Sequence, residues 1–216
     1  MDDDTEQTAS GASAMGAHAE PLRQRASLPP TAQLGQFDVF ISYRRAHSGA
    51  ARCLQMALTA LGYRVFFDLD RLHGLQAGPF QAQLEQVLAS TPVVLVLITP
   101  APSGDPDDKV RFGRSSTETM KEYARLGWTD YCRVEVAMAM AAGKLVIPVY
   151  PGRFGEKFIG SQLGQLKGLS DVQGIAGLNA YPLHNDTYAA CVHNLHQHIK
   201  HTKLRPEPEP EPQPLY

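Results

Sequence analysis

Two stretches of this chain hold side chains whose types and spacing suit chemistry. The run from Phe37 to Arg45, FDVFISYRR, is an apolar pulse that breaks into a hydroxyl, a phenol and two guanidiniums at Ser42, Tyr43, Arg44 and Arg45. In an open α/β sheet the carboxyl ends of the parallel strands line the crevice where ligands sit, and these groups would stand at that rim. Read locally, the arginines serve equally as solvated surface, with Ser42 opening a turn. The second stretch, WTDYCRVEVAMAMAAGK, begins at Trp128, and from Val134 until Lys144 its single charged side chain is Glu135. A helix apolar nearly all round is a buried helix. An unpaired carboxylate there costs on the order of a few kcal/mol, so Glu135 is expected at the sheet's rim, in the helix's first turns, or against a cation. Helical spacing stacks Tyr131 on Glu135 at i and i+4, placing an aromatic face beside a partly desolvated carboxylate, as in a pocket. A structural ion pair with Arg44 or Arg45, or complementation of the helix dipole, accounts for the same carboxylate.

The elements that must position these groups alternate strand and helix. Phe37 to Ser42 reads as the first strand, and a helix follows from Ser48, the expected N-cap, with Ala50, Cys53, Leu54, Ala57, Leu58 and Leu61 at helical spacing until Gly62. Tyr63 to Phe67 is a second strand. A loop leads to a helix starting near Pro79, with Phe80, Leu84, Val87 and Leu88 on one face. Val93 to Thr99, VVLVLIT, has no polar alternation. A strand apolar on both faces implies helices packed on both sides and a mostly parallel sheet. After a polar excursion from Ala101 to about Gly127, a helix runs from near Thr129 to Ala142, then a strand from Leu145 to Tyr150. A fifth strand is expected near Ile175 to Leu183 and a last helix from about Asp186 to Lys200, while Pro151 to Gly174 is Gly-rich and carries no clear period.

The bulk properties bound the partners. The 216 residues are 43% hydrophobic and 19% charged with a formal charge of -2, which is globular composition with no long-range field to recruit nucleic acid or an anionic membrane. Cys53, Cys132 and Cys191 are odd in number and widely separated, matching neither a disulfide framework nor a zinc site, and read as free thiols. The opening MDDDTEQ has no basic or apolar leader character, and apolar runs such as Val93 to Ile98 are too short to span a bilayer. A cytoplasmic, soluble protein with no membrane insertion is expected. Residues 1–35 lack hydrophobic period and are expected to be a disordered tail. The expected domain is 36–202, and 203–216, with its alternating Pro and Glu, favours an extended polyproline II tail. No strand is followed by a Gly-rich dinucleotide turn or a phosphate loop, and strand one ends in Ser42 and Tyr43 rather than the paired aspartates of a phosphoacceptor receiver.

From about Phe37 to Lys200 these segments resemble the TIR (Toll/interleukin-1 receptor) domain. The resemblance rests on FDVFISYRR in the first strand, GYRVFFD in the second, LDRLHGLQAGPF in the loop after it, VVLVLITP in the third, YCRVE on the following helix and GKLVIPVY in the fourth. It implies a flavodoxin-like three-layer α/β sandwich with five parallel strands in the order 2-1-3-4-5. It also implies self-association and association with other TIR domains, and a place in innate immune or cell-death signal transduction. One branch of the family cleaves NAD with a glutamate on the helix after strand three, and Glu135 falls at that position, four residues after the aromatic Tyr131. The resemblance therefore implies an NAD+ glycohydrolase releasing nicotinamide and ADP-ribose or a cyclic isomer, with Glu135 catalytic and Tyr43, Arg44, Phe80 and Tyr131 binding substrate. NAD is the substrate, no cofactor is expected, and no metal. Trp128 is an alternative to Tyr131, and His47 and His73 are of the residue type suited to proton transfer near neutrality, with nothing placing them at the site. By that resemblance the loop from Asp68 to Phe80 is longer than in the axon-degeneration TIR protein, and the stretch from Pro102 to Gly127 is longer than usual. A non-catalytic TIR adaptor is the second reading, and another N-ribosyl-cleaving enzyme of similar sheet layout the third.

Overall fold

The computed structural model describes residues 37–67, 77–100 and 115–203. The tails expected at 1–35 and 203–216 lie outside the described residues, Lys203 excepted, as does most of the loop from Asp68 to Phe80. Five strands form one sheet in the order β2-β1-β3-β4-β5, every neighbouring pair parallel. They are β1 (Val39–Ser42), β2 (Val65–Phe66), β3 (Val93–Leu97), β4 (Leu145–Pro151) and β5 (Tyr181–Leu183). Val39 stands opposite Val65 on one side and Val93 on the other, and Val93 opposite Leu145, so the apolar runs lie abreast. The chain leaves β1 for β2 on one side and later returns to pair β3 on the other. This reversal puts the topological switch point at the carboxyl ends of β1 and β3.

Parallel strands need helical crossovers, and these cover both faces. The helices among the described residues are α1 (Ser48–Ala60), α2 (Ala77–Ser90), α3 (Ser116–Leu126), α4 (Tyr131–Ala141), α5 (Gly155–Gln165) and α6 (Tyr188–Lys203). Because successive strand residues point to opposite faces, Val39, Ile41, Val93, Leu95, Leu97, Ile147 and Val149 form one core layer with Leu54 and Leu58 of α1 and Val192, Leu195 and Ile199 of α6. Phe40, Ser42, Val94 and Val96 therefore face the other way, where α4 lies against β1, β3 and β4, and α2 packs on α4. The result is the three-layer α/β sandwich with strand order 2-1-3-4-5. No helix among the described residues is long and apolar enough to cross a membrane.

Three local outcomes depart from the sequence expectation. Ser48 is the first residue of α1 rather than its cap, because a single 3-10 turn, Arg45–His47, precedes it and His47 occupies the N-cap. The polar excursion before Gly127 contains α3, whose buried positions are Ser116, Thr117 and Met120, so no aliphatic stripe announces it. Hydrogen bonds hold it instead. Ser116 N donates to the Thr99 carbonyl at 2.9 Å, Thr99 N donates back to Ser116 Oγ at 3.0 Å, and the Thr117 hydroxyl donates to Gln162 Oε1. Finally, β5 is confined to Tyr181–Leu183, Ile175 being buried in a separate 3-10 turn (Gln173–Gly177), and the unassigned Gly-rich stretch holds α5.

The start of α3 is a full capping box. Glu118 N donates to Ser115 Oγ at 3.2 Å and Ser115 N donates to Glu118 Oε2 at 2.8 Å, while Gly127 closes the helix in the left-handed region at φ 69°. Ser115→Ala removes the cap and is expected to lower stability by about 1–2 kcal/mol, measured by urea unfolding.

Candidate functional site

The site is built where the carboxyl end of β1 meets the first turns of α4. Asp130 caps α4, its side chain accepting the Arg133 backbone N–H at 3.1 Å, and so the helix begins at Tyr131. That start fixes the helical phase and puts Glu135 in the second turn, facing β1. Ser42, the last residue of β1 and only 1% exposed, donates its hydroxyl to Glu135 Oε2 at 2.6 Å. The next residue, Tyr43, accepts a hydrogen bond from Cys132 Sγ on its carbonyl at 3.3 Å. Arg44 then donates to the Asp130 carboxylate, and to the Ser116 carbonyl at 3.2 Å. Three successive residues leaving the strand thus hold positions 130, 132 and 135 of the helix.

The electrostatics follow from burial. The Arg44 guanidinium and Asp130 carboxylate are 20% and 1% exposed, so this ion pair is shielded from water. Burial pushes the Cys132 thiol far above its ordinary range. The negative charges of Glu135 and Asp130 add to that, and Arg44 opposes it. Cys132 is therefore held as a neutral thiol, the form able to donate to the Tyr43 carbonyl.

The expected site residues are distributed unevenly. Ser42 and Glu135 meet, and Tyr131 stands one helical turn before Glu135, 44% exposed. Tyr43 does not join them. It is buried in the opposite layer with Ala51, Leu54 and Leu58, its ring stacked on Phe67 with centroids 5.0 Å apart and planes 10° from parallel. Arg52 covers that Phe67 ring at 4.4 Å. Strand alternation is the reason, since the residue after Ser42 has to point the other way. Arg44 takes Asp130 as its partner, where the sequence pointed to Glu135 and the family resemblance to substrate. Phe80 lies in α2, and its side chain is outside the described residues, as is His73. Trp128 is 60% exposed in the turn before α4 and packs edge-on against Tyr123. His47 sits at the start of α1, its pKa lowered by burial. Asp130 and Ser116 were missed as members of this cluster. An aspartate immediately before a helix was the available signal for the first.

Among the described residues no group of three or more His, Cys, Asp or Glu is placed to hold a metal. A cavity of about 400 Å³ opens at the carboxyl ends of β3 and β5 between α1 and α6, walled by Cys53, Leu97, Leu183 and Tyr188. It belongs to the layer opposite Glu135, and none of the expected site residues lines it.

Fold and site together define a doubly wound α/β domain with a carboxylate anchored at the switch point of its sheet. The sequence profile of the TIR domain family matches residues 39–176, and the chain belongs to that family. Over 66 residues it is 38% identical to NAD(+) hydrolase tir-1 of Caenorhabditis elegans, a match covering 30% of this chain and 6% of that protein. Among solved structures it is similar to the TIR domains of the activated Roq1 resistosome directly recognizing the pathogen effector XopQ. The TM-score there is 0.44 at 14% identity, over 76% of this chain and 99% of that one. A metazoan TIR-STING receptor from C. gigas in complex with 2',3'-cGAMP gives a TM-score of 0.39 at 15% identity, over 73% of this chain and 38% of that one.

Two outcomes test the site's construction. Asp130→Ala removes the cap of α4 and leaves the Arg44 guanidinium buried without its carboxylate, and is expected to cost about 3–5 kcal/mol in equilibrium unfolding. Iodoacetamide at pH 8 is expected to alkylate the exposed Cys53 at least about tenfold faster than Cys132, whose thiolate is disfavoured by burial, as peptide mass spectrometry of a time course would read.

Proposed function

We propose that this TIR domain is an NAD+ glycohydrolase that cleaves the bond between nicotinamide and ribose, with Glu135 as its catalytic carboxylate. The observation that carries the proposal is the carboxylate of Glu135 held by Ser42 at 2.6 Å at the switch point of the sheet. Family membership and the 38% identical segment of NAD(+) hydrolase tir-1 support it.

The chemistry suits a single carboxylate. NAD already carries a cationic nicotinamide, so the leaving group departs neutral and needs no acid, unlike an ordinary glycoside with its second carboxyl group. As the bond breaks, positive charge develops on the ribose. A fixed, partly desolvated carboxylate stabilises that charge far more than one in water. Glu135 holds the ribose hydroxyls and faces the oxocarbenium-like centre. Water then completes ADP-ribose, or an adenine nitrogen of the same molecule closes a cyclic isomer. Tyr131, exposed one turn before Glu135, supplies the aromatic face. The activity serves immune or cell-death signalling in the cytoplasm, with assembly through TIR–TIR contacts.

A second reading is a non-catalytic TIR scaffold, and one observation favours it: Tyr43 and Arg44 are both engaged in holding the fold. Incubation of the purified chain with NAD at rising protein concentration separates the two readings. Chromatographic release of nicotinamide, reduced at least about a hundredfold in a folded Glu135→Ala variant, is the expected result. NAD left intact by the assembled protein, with other TIR domains still bound, would establish the scaffold.

A further inference from the structure

The first of the three bonds between β1 and α4 ends on the proposed catalytic carboxylate itself. Ser42 pairs with Val96 in the β1–β3 ladder, so its side chain is fixed on the α4 face and cannot turn away without breaking register. A separation of 2.6 Å is a direct O–H···O hydrogen bond. A free glutamate side chain has three rotatable bonds and samples many positions, whereas a donor on a strand selects one of them.

We propose that Ser42 is a positioning residue of Glu135, donating to Oε2 so that the carboxylate keeps one orientation at the β1–β3 crevice. This rests on the assignment of NAD cleavage to Glu135 and adds how that group is held ready. Ser42 makes and breaks no covalent bond. The neighbouring bonds, Cys132 to the Tyr43 carbonyl and Arg44 to Asp130, keep the strand end and the helix start at the separation the serine bond requires.

The test uses Ser42→Ala and Ser42→Thr in the full chain, read by steady-state NAD turnover, melting temperature and the side-chain 13C carboxylate resonance of Glu135, assigned with Glu135→Gln. Removing one oxygen is expected to lower kcat about ten- to hundredfold with KM changed less than about threefold, because the carboxylate loses its orientation rather than the substrate its contacts. Ser42→Thr, which keeps a hydroxyl, restores most of kcat, and the Glu135 resonance moves in the alanine variant but not in the threonine one. An unchanged kcat in Ser42→Ala, a loss carried by KM, or an unmoved Glu135 resonance overturns the proposal. Where the threonine methyl unfolds the chain, as melting reveals, Ser42→Ala decides alone. A wild-type chain that never turns over NAD rejects the catalytic assignment, and the resonance in Ser42→Ala then decides whether the serine holds the carboxylate.

Discussion

The structure depends on one join, that between the carboxyl end of β1 and the amino end of α4. These segments are far apart in sequence, yet Ser42, Tyr43 and Arg44 each bond to a separate position of the helix. The join mixes three kinds of interaction. A hydroxyl meets a carboxylate, a thiol meets a backbone carbonyl, and a guanidinium meets a capping aspartate. Each bond to an ionised partner contributes about 1.5–3 kcal/mol in typical proteins, and the cost of leaving either partner buried and alone is larger. The apolar layers beneath bring the two segments together without direction. Directional bonds then decide the angle and phase at which the helix sits.

The same join explains the division of labour among neighbouring side chains. Strand alternation sends Ser42 towards α4 and Tyr43 into the opposite layer, against Phe67 and α1. Arg44 is drawn to the cap of α4 because Asp130, 1% exposed, would otherwise be a carboxylate buried without a cation. A tyrosine and an arginine at a strand's carboxyl end therefore serve the framework, and the group left facing the crevice is the hydroxyl that looked least specialised. Its partner, Glu135, is the carboxylate of a helix otherwise rich in valine, alanine and methionine.

Much of the fold was legible in the sequence. The unbroken VVLVLIT announced a strand covered on both sides, and the spacing of Leu54 and Leu58 announced α1. Where the reading stopped short, buried positions were filled by polar residues. Ser116 and Thr117 are buried, but their hydrogen-bond partners, Thr99 and Gln162, lie in other segments, so no local period marks α3. Its capping box, Ser115 with Glu118, was the one local sign. At the site, Glu135 stood out because a carboxylate in an apolar helix is costly. The partners of Arg44 and Tyr43 were hidden for a different reason. Residue type says that a guanidinium seeks an anion, but only tertiary placement says which one, and the choice between Asp130, Glu135 and a bound phosphate is made by geometry.

The ladder through Val39 and Ser42 also sets how this family member can vary in length. Side chains on a strand alternate with a period of two, so one residue gained or lost between Val39 and Ser42 exchanges the two faces. The hydroxyl would then enter the layer shared with α1, and Glu135 would face an apolar side chain. Beyond Arg44 the chain passes into a single 3-10 turn and then α1, where an added residue leaves the bonds of Ser42, Tyr43 and Arg44 upstream of it. The first strand thus acts as a ruler, and a change of length leaves its two faces and the three bonds in place only outside the segment from Val39 to Arg44.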